Sequence, residues 1–258
     1  MQELSPRDLL QAAIDISGAA APIPMRYFRS AVAVEDKADE SPVTIADRET
    51  EAAIRQAIGA RFPSHGIFGE EFGKQNTEAD HTWIIDPIDG TRSFICGVPL
   101  FGMLLGILHK GEAIAGVIRM PALSECYAGC RGAGATLNGR QVRCRQLDDV
   151  ANSRIFINEA NRLVEREPQR LQRLMGLGRV RRFSNDCYPF ALLAAGEIDA
   201  VVDFDLQPYD YLPVVPVVEA AGGIITDWKG ARLGLGSDGS VAAASNPALH
   251  RELMDRLR

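Results

Sequence analysis

The chain has 258 residues, 46% of them apolar and 24% charged, with a formal net charge of −6. That length holds one large domain or two small ones sharing a core, and the composition is that of an ordinary soluble globular protein. The acidic balance disfavours a general nucleic-acid surface, so no nucleic-acid partner is expected.

The first segment, MQELSPRDLLQ, lacks the basic stretch and apolar core of an export signal, so a cytoplasmic location is expected. Residues 5–28 read as a helix, with Leu9, Leu10, Ala13, Ile14 and Ile16 on a broad apolar stripe behind Ser5-Pro6. VAVE (32–35) is a short strand and DKADESP a charged loop. Thr44 opens a second helix, with Ile45, Ala52, Ile54 and Ile58 on its apolar side, ending near Phe62-Pro63. GIFGEE and TWIIDP follow as strands whose ends carry acids. Residues 99–136 alternate strand-like segments with glycine turns, which predicts an antiparallel sheet. PLFGMLLGIL, among the longest apolar runs, is too short and glycine-rich to span a bilayer, so no membrane partner is expected.

Beyond residue 140 the pattern changes. RIFIN (154–158) reads as a strand, VEREPQRLQRLMGLG and DCYPFALLAAGE as helices, and IDAVVDF (198–204) as a strand. YDYLPVVPVVEAAGG reads as a third helix closed by Gly222-Gly223. Strand and helix alternate here as in an α/β layer. Two subdomains pressed together, 1–140 and 141–258, are expected. Cys96, Cys126, Cys130, Cys144 and Cys187 are scattered and read as reduced thiols, and the four histidines are too dispersed to suggest a metal site or a Ser-His-Asp triad.

Chemistry concentrates in WIIDPIDGTRSF, from Trp83 to Phe94. Pro87 disfavours a helical conformation at Asp86, and Gly90 allows a sharp turn, so Asp86 and Asp89 converge around the Ile88 carbonyl. Three oxygens on one short turn suit a hard cation such as Mg²⁺. The N–H groups of Gly90 and Thr91, opening a helical turn, would face an anion. A ligand-free surface turn would also use Asp and Gly. The three-residue spacing does not match the Asp-x-Asp pair of aspartyl-phosphate phosphatases, and no G-x-x-x-x-G-K-[ST] loop is present. Other acids lie nearby in pattern: Asp47 in SPVTIAD, Glu70 and Glu71 in GEE, and Asp210 in QPYDYLP. Each also has a plain reading, as a solvated acid or, for Asp210, as a helix N-cap.

Taken in order, GEE, WIIDPIDGTRSF and PYD followed by AGG resemble the inositol monophosphatase family of Mg²⁺-dependent, lithium-sensitive phosphatases across essentially the whole chain. The resemblance implies a layered αβαβα fold of the α/β class, with an antiparallel N-terminal sheet and a smaller C-terminal α/β layer. It implies Glu70, Asp86 and the Ile88 carbonyl as ligands of a first metal, and Asp86, Asp89 and Asp210 as ligands of a second. It further implies that Thr91 and Asp47 orient and help to deprotonate the attacking water, in two-metal hydrolysis of a small phosphate monoester. A homodimer is the family default.

The family covers several phosphate esters, so fold alone leaves the substrate open. Tyr209-Asp210-Tyr211-Leu212-Pro213 departs from the common Trp-Asp and paired alanines, and Pro216 is expected to kink its helix. The block from Ser184 to Gly223 resembles the histidinol-phosphate phosphatase branch. Histidinol phosphate carries an ammonium and a titratable imidazole, which acids would favour. Asp186, Asp203 and Asp205 are candidate substrate contacts, with Arg182 facing substrate or phosphate, and Gly90, Thr91 and Asp210 also at the substrate. Asp186 as a helix cap, Asp205 as a turn residue and Arg182 as an exposed arginine are the competing readings. Inositol-1-phosphate or broad sugar-phosphate hydrolysis is the alternative activity, and binding to the transcription machinery the alternative of a different class.

Overall fold

The computed structural model describes residues 4–30, 33–36, 42–147 and 149–258. The chain opens with α1 (Pro6–Ala20), α2 (Pro22–Tyr27), β1 (Val34–Asp36), β2 (Pro42–Thr44) and α3 (Ile45–Arg61). Next come β3 (Gly66–Gly69), β4 (Gly73–Gln75), β5 (His81–Asp89), α4 (Thr91–Ile95), β6 (Gly102–His109), β7 (Glu112–Met120), β8 (Glu125–Cys130), β9 (Gly134–Leu137) and β10 (Arg140–Val142). The C-terminal half holds β11 (Arg154–Ile157), α5 (Ala160–Arg166), α6 (Pro168–Leu174), β12 (Val180–Phe183), α7 (Tyr188–Ala194) and β13 (Ala200–Asp203). It ends with α8 (Pro208–Tyr211), α9 (Val214–Ala220), β14 (Ile224–Thr226), β15 (Val241–Ala244) and α10 (Pro247–Leu257). The strand expected at 32–35 and the loop at 36–42 lie partly outside the described residues.

Three expected helices are each divided in two, and proline explains the position of every break. Residues 5–28 form α1 and α2, because Pro22 has no N–H to continue the ladder and instead opens α2. Pro168 likewise starts α6 after α5, and Pro213 is the N-cap of α9. Pro216 therefore falls in the first turn of α9, where its missing N–H costs nothing, and the expected kink is a break between α8 and α9.

β3 to β10 form one sheet in the order β10-β9-β8-β7-β6-β5-β3-β4. It is antiparallel, as expected for residues 99–136, except where β3 and β5 run parallel. The second sheet has the order β12-β11-β13-β15-β14, with β11, β12 and β13 mutually parallel. Side chains alternate across each sheet, and this alternation builds the layers. Trp83, Ile85, Met103, Leu105 and Val117 pack with Leu9, Ala13, Ile54 and Ile58 of α1 and α3. Ile84, Leu104 and Ile118 face the other way, onto α7 and α9, which also cover Val201 and Ala243 of the second sheet. Ile155, Val202 and Ala242 close the far side with Leu163, Leu174 and Leu253. The result is α/β/α/β/α.

The middle helices approach the first sheet closely because Gly106, Gly116 and Gly129 stand side by side on β6, β7 and β8. A Cβ on Gly106 would meet the Pro213 Cα at 3.0 Å, and one on Gly129 would meet the Val217 Cα at 2.7 Å. On Gly116 it would overlap the Pro213 carbonyl outright. This trough seats the α8–α9 junction, and with it Asp210, against the sheet that carries Asp86 and Asp89. No helix of the described residues is long and apolar enough to cross a membrane. Cys126, Cys130, Cys144 and Cys187 are buried free thiols and Cys96 is an exposed one.

Candidate active site

β5 delivers Asp86 on a regular strand, and its pairing with β6 shifts register between Asp86 and Asp89. The Asp86 carboxylate accepts the Ile88 N–H at 3.0 Å, which closes the turn. Gly90 follows at φ 86° as the N-cap of α4, a conformation open to glycine. Any Cβ there would also sit 2.7 Å from the Asp186 carboxyl carbon. Asp89 is anchored from the opposite half, accepting the Cys187 N–H at 2.6 Å. Asp210 is the third residue of α8, not its N-cap, and accepts the Gln207 N–H at 2.7 Å.

Carboxylate oxygens of Asp86, Asp89 and Asp210 all lie within 4.8 Å of one another. Burial, then the charges of Glu70, Asp89 and Asp210, push the Asp86 carboxyl well above its usual range. Burial, followed by Asp186 and Asp210, does the same to Asp89. Asp210 is pushed up to about 7, mainly by burial and against its bond from Gln207. Three hard oxygen donors that repel one another in a buried space form a set that a divalent cation would relieve, so these residues fit Mg²⁺.

Thr91 stands at the first position of α4, with its hydroxyl 3.3 Å from Asp47 Oδ1 and 3.2 Å from the Ile88 carbonyl oxygen. Asp47 is fully buried in the capping box of α3, where its other oxygen accepts the Thr44 N–H and hydroxyl at 2.9 and 2.6 Å. Burial raises its pKa against these bonds. Glu70 follows β3 directly and lines the same cleft, a space of about 520 Å³.

The opposite wall is built at the carboxyl ends of the parallel strands β11, β12 and β13, where open α/β sheets bind ligands. Asn158 follows β11 and bridges all three strand ends. Its amide donates to Asp203 Oδ2 and to the Asp186 carbonyl, both at 2.8 Å, and its oxygen accepts the Asn185 N–H at 3.2 Å. Asp203 is buried and also accepts the Phe204 N–H at 2.9 Å. Asp186 caps no helix; it accepts the Ser93 hydroxyl at 2.5 Å, and burial raises its pKa. Asp205 is held by Arg166 at 2.9 Å and Arg162 at 3.4 Å. Arg182 is the one expected site residue placed elsewhere, exposed on the edge strand β12 and absent from the cleft lining. Its neighbour in register is Phe156, and the arginines at the cleft are Arg92, Arg162 and Arg166.

Glu159 lines the cleft without having been anticipated, 3.8 Å from Arg92, in a left-handed conformation at φ 44°. Its signal in the sequence was position alone: it follows the RIFIN strand, where the ligand end of a parallel sheet lies.

The model of the inositol monophosphatase family matches residues 5–258. The chain belongs to the inositol monophosphatase family. It is 39% identical over 248 residues to the histidinol-phosphatase of Chlorobaculum parvum, covering 95% of each chain. It is 38% identical over 251 residues to the chloroplastic bifunctional phosphatase IMPL2 of Arabidopsis thaliana, covering 94% of this chain and 72% of that one. Among solved structures, an inositol monophosphatase from Zymomonas mobilis superposes with a TM-score of 0.89 at 31% identity, covering 99% of both chains. The protein is thus a phosphoric monoester hydrolase of the inositol monophosphatase family. Members of that family are generally Mg²⁺-dependent, in keeping with the clustered carboxylates of Asp86, Asp89 and Asp210.

Proposed function

We propose that the protein hydrolyses histidinol phosphate to histidinol and inorganic phosphate, a step of histidine biosynthesis, with Mg²⁺ in the carboxylate cluster. The observation that carries the substrate is the acid wall opposite that cluster. Asp205 is paired with Arg162 and Arg166, and Glu159 lies 3.8 Å from Arg92, yet burial still raises the pKa of both Asp186 and Glu159 and disfavours their charged forms. A substrate cation seated between them would relieve both. The likeness to proteins named histidinol-phosphatase supports the same reading.

In this proposal Glu70, Asp86 and the Ile88 carbonyl hold one Mg²⁺, and Asp86, Asp89 and Asp210 a second. When bound, the ions would lower the pKa of a water molecule and neutralise the departing oxygen. The remaining work falls to the chain. Thr91 accepts a hydrogen bond from the attacking water while its own hydroxyl proton points to Asp47, so proton loss from water ends on the Asp47 carboxylate. The N–H groups of Gly90 and Thr91 hold the phosphoryl oxygens. The water oxygen bonds to phosphorus as the bond to the substrate alcohol oxygen breaks in line, and that oxygen takes a proton from solvent.

Phosphate release from histidinol phosphate, inositol 1-phosphate, fructose bisphosphate and a 3′,5′-nucleotide bisphosphate, each with Mg²⁺, tests the assignment. Histidinol phosphate is expected to show kcat/KM at least about tenfold above inositol 1-phosphate, a difference of about 1.4 kcal/mol. Asp186→Asn should penalise histidinol phosphate and spare a small uncharged ester. A preference of the unaltered protein for inositol 1-phosphate would sink the substrate and leave the hydrolase. A cytoplasmic homodimer inhibited by lithium belongs to the same proposal, checked by sedimentation and by Li⁺ titration of the turnover.

A further inference from the structure

Glu51 lies on α3 outside the cleft and is fully buried. A carboxylate with no exposed surface requires a cation and hydrogen-bond donors, and Glu51 has both. Arg55, one turn later, donates from Nε to Glu51 Oε1 at 2.7 Å. The N–H groups of Glu71 and Phe72 donate to the same carboxylate at 2.7 and 3.2 Å. Arg55 also donates to the Gly73 carbonyl, so acid and arginine together grip the chain from residue 71 to residue 73. At the end of β3, a Cβ on Gly69 would overlap the Glu51 carboxylate, and only the absence of a side chain admits this contact. Glu70 stands between these points. Its own N–H bonds the Ile85 carbonyl at 3.1 Å and its side chain lines the cleft.

We propose that Glu51 is a positioning residue for Glu70. By fixing the backbone on both sides, it presents the Glu70 carboxylate to the cation beside Asp86. The turn Glu70-Glu71-Phe72, followed by Gly73, would otherwise sample many conformations, and ordering the ligand in advance removes that entropy from the binding step. The inference rests on the reading of Glu70 as a Mg²⁺ ligand, and the experiment separates the two.

Mg²⁺ is titrated calorimetrically into the full chain and into its Glu51→Gln, Gly69→Ala and Glu70→Gln variants, with amide hydrogen exchange followed at Glu71 and Phe72. Glu51→Gln is expected to weaken Mg²⁺ binding about tenfold or more, in the range usual for residues that orient metal ligands. Exchange at both amides should quicken. At saturating Mg²⁺, kcat should largely return and the substrate KM should stay close to that of the unaltered protein. Gly69→Ala keeps both charges and displaces the carboxylate, so it should reproduce the weakened binding, and it decides the question if Glu51→Gln does not fold. Weaker binding in Glu70→Gln alone would overturn the role of Glu51 while leaving Glu70 a ligand. Unchanged binding in Glu70→Gln would remove the ligand reading, and the proposal with it.

Discussion

Asp89 touches both halves of the molecule, through its own strand and through the Cys187 N–H. Asp89→Asn keeps the shape and removes the charge, so the fold should survive while kcat falls by about a hundredfold or more, roughly 2.7 kcal/mol of lost transition-state stabilisation. Near-normal kcat at saturating Mg²⁺ would show the cluster to be misassigned. Thr91→Ala should lower kcat by about 10²–10⁴-fold, the usual worth of a positioned proton-transfer group, and change KM less. A rise in KM with kcat intact would make Thr91 a binding residue instead. These residues could be grouped from sequence because Asp86 to Thr91 are contiguous, running from the irregular end of β5 through Gly90 into α4. Glu159 was hidden for the opposite reason. Its place depends on a positive φ and on three strand ends meeting through Asn158, and neither is written in its neighbours. Arg182 does not reach the cleft because it lies on β12, an edge strand none of whose residues lines it, and that position follows from the strand order and not from neighbouring sequence.

Among the elements, apolar periodicity located the helices but not their breaks. The stripe continues across Pro22, Pro168 and Pro213, so pattern favours one helix where the missing N–H groups leave two. The parallel pairing of β3 with β5 was equally obscure, since β4 intervenes in sequence and pairs on the outer edge. At the start of β5 the imidazoles of His65 and His81 stack with centroids 4.9 Å apart, and His65 Nδ1 accepts the Trp83 indole N–H at 3.1 Å. Burial first, and then His81, lowers the His65 pKa below its ordinary 6.5. The unfolded chain therefore binds the proton more readily. Stability from His65 is complete above about pH 6.5 and is lost as pH falls toward the folded value. Gln at position 65 keeps an acceptor and loses the titration. Thermal melts of His65→Gln should thus fall less between pH 7.5 and pH 5.5 than those of the unaltered protein; parallel curves would exclude the effect.

For the molecule as a whole, the change of pattern near residue 140 marked two sheets with different faces to cover, whereas the order of layers came from the family resemblance and not from the pattern. The two sheets meet over α7 and α9, and the acids gather at that seam. The pKa values of Asp86, Asp89, Asp186, Asp203 and Asp210 are raised in the folded state, chiefly by burial, so in the absence of metal the native protein binds protons there that the unfolded chain has released. The sign is opposite to that of His65: this contribution is fully present below the unfolded carboxylate pKa and is lost as pH rises through the folded value, about 7 for Asp210. Mg²⁺ competes with those protons. The rise in Tm on adding Mg²⁺ should be larger at pH 8 than at pH 6, and an equal rise at both would argue against binding through these carboxylates.

The glycine row of β6, β7 and β8 has a bearing on how such a site can change. Its three vacant Cβ positions set how far Asp210 stands from Asp86 and Asp89, so the calibre of the cluster is gauged from behind, by a space left unfilled. Gly116→Ala adds one methyl group far from any substrate and must move the Pro213 carbonyl to fit. That displacement would reach the cluster along α8, three residues away in sequence. Drift at these positions is therefore felt at the cluster as well as in stability, and tolerance to mutation on the inner strands should be narrower than their distance from the cleft suggests.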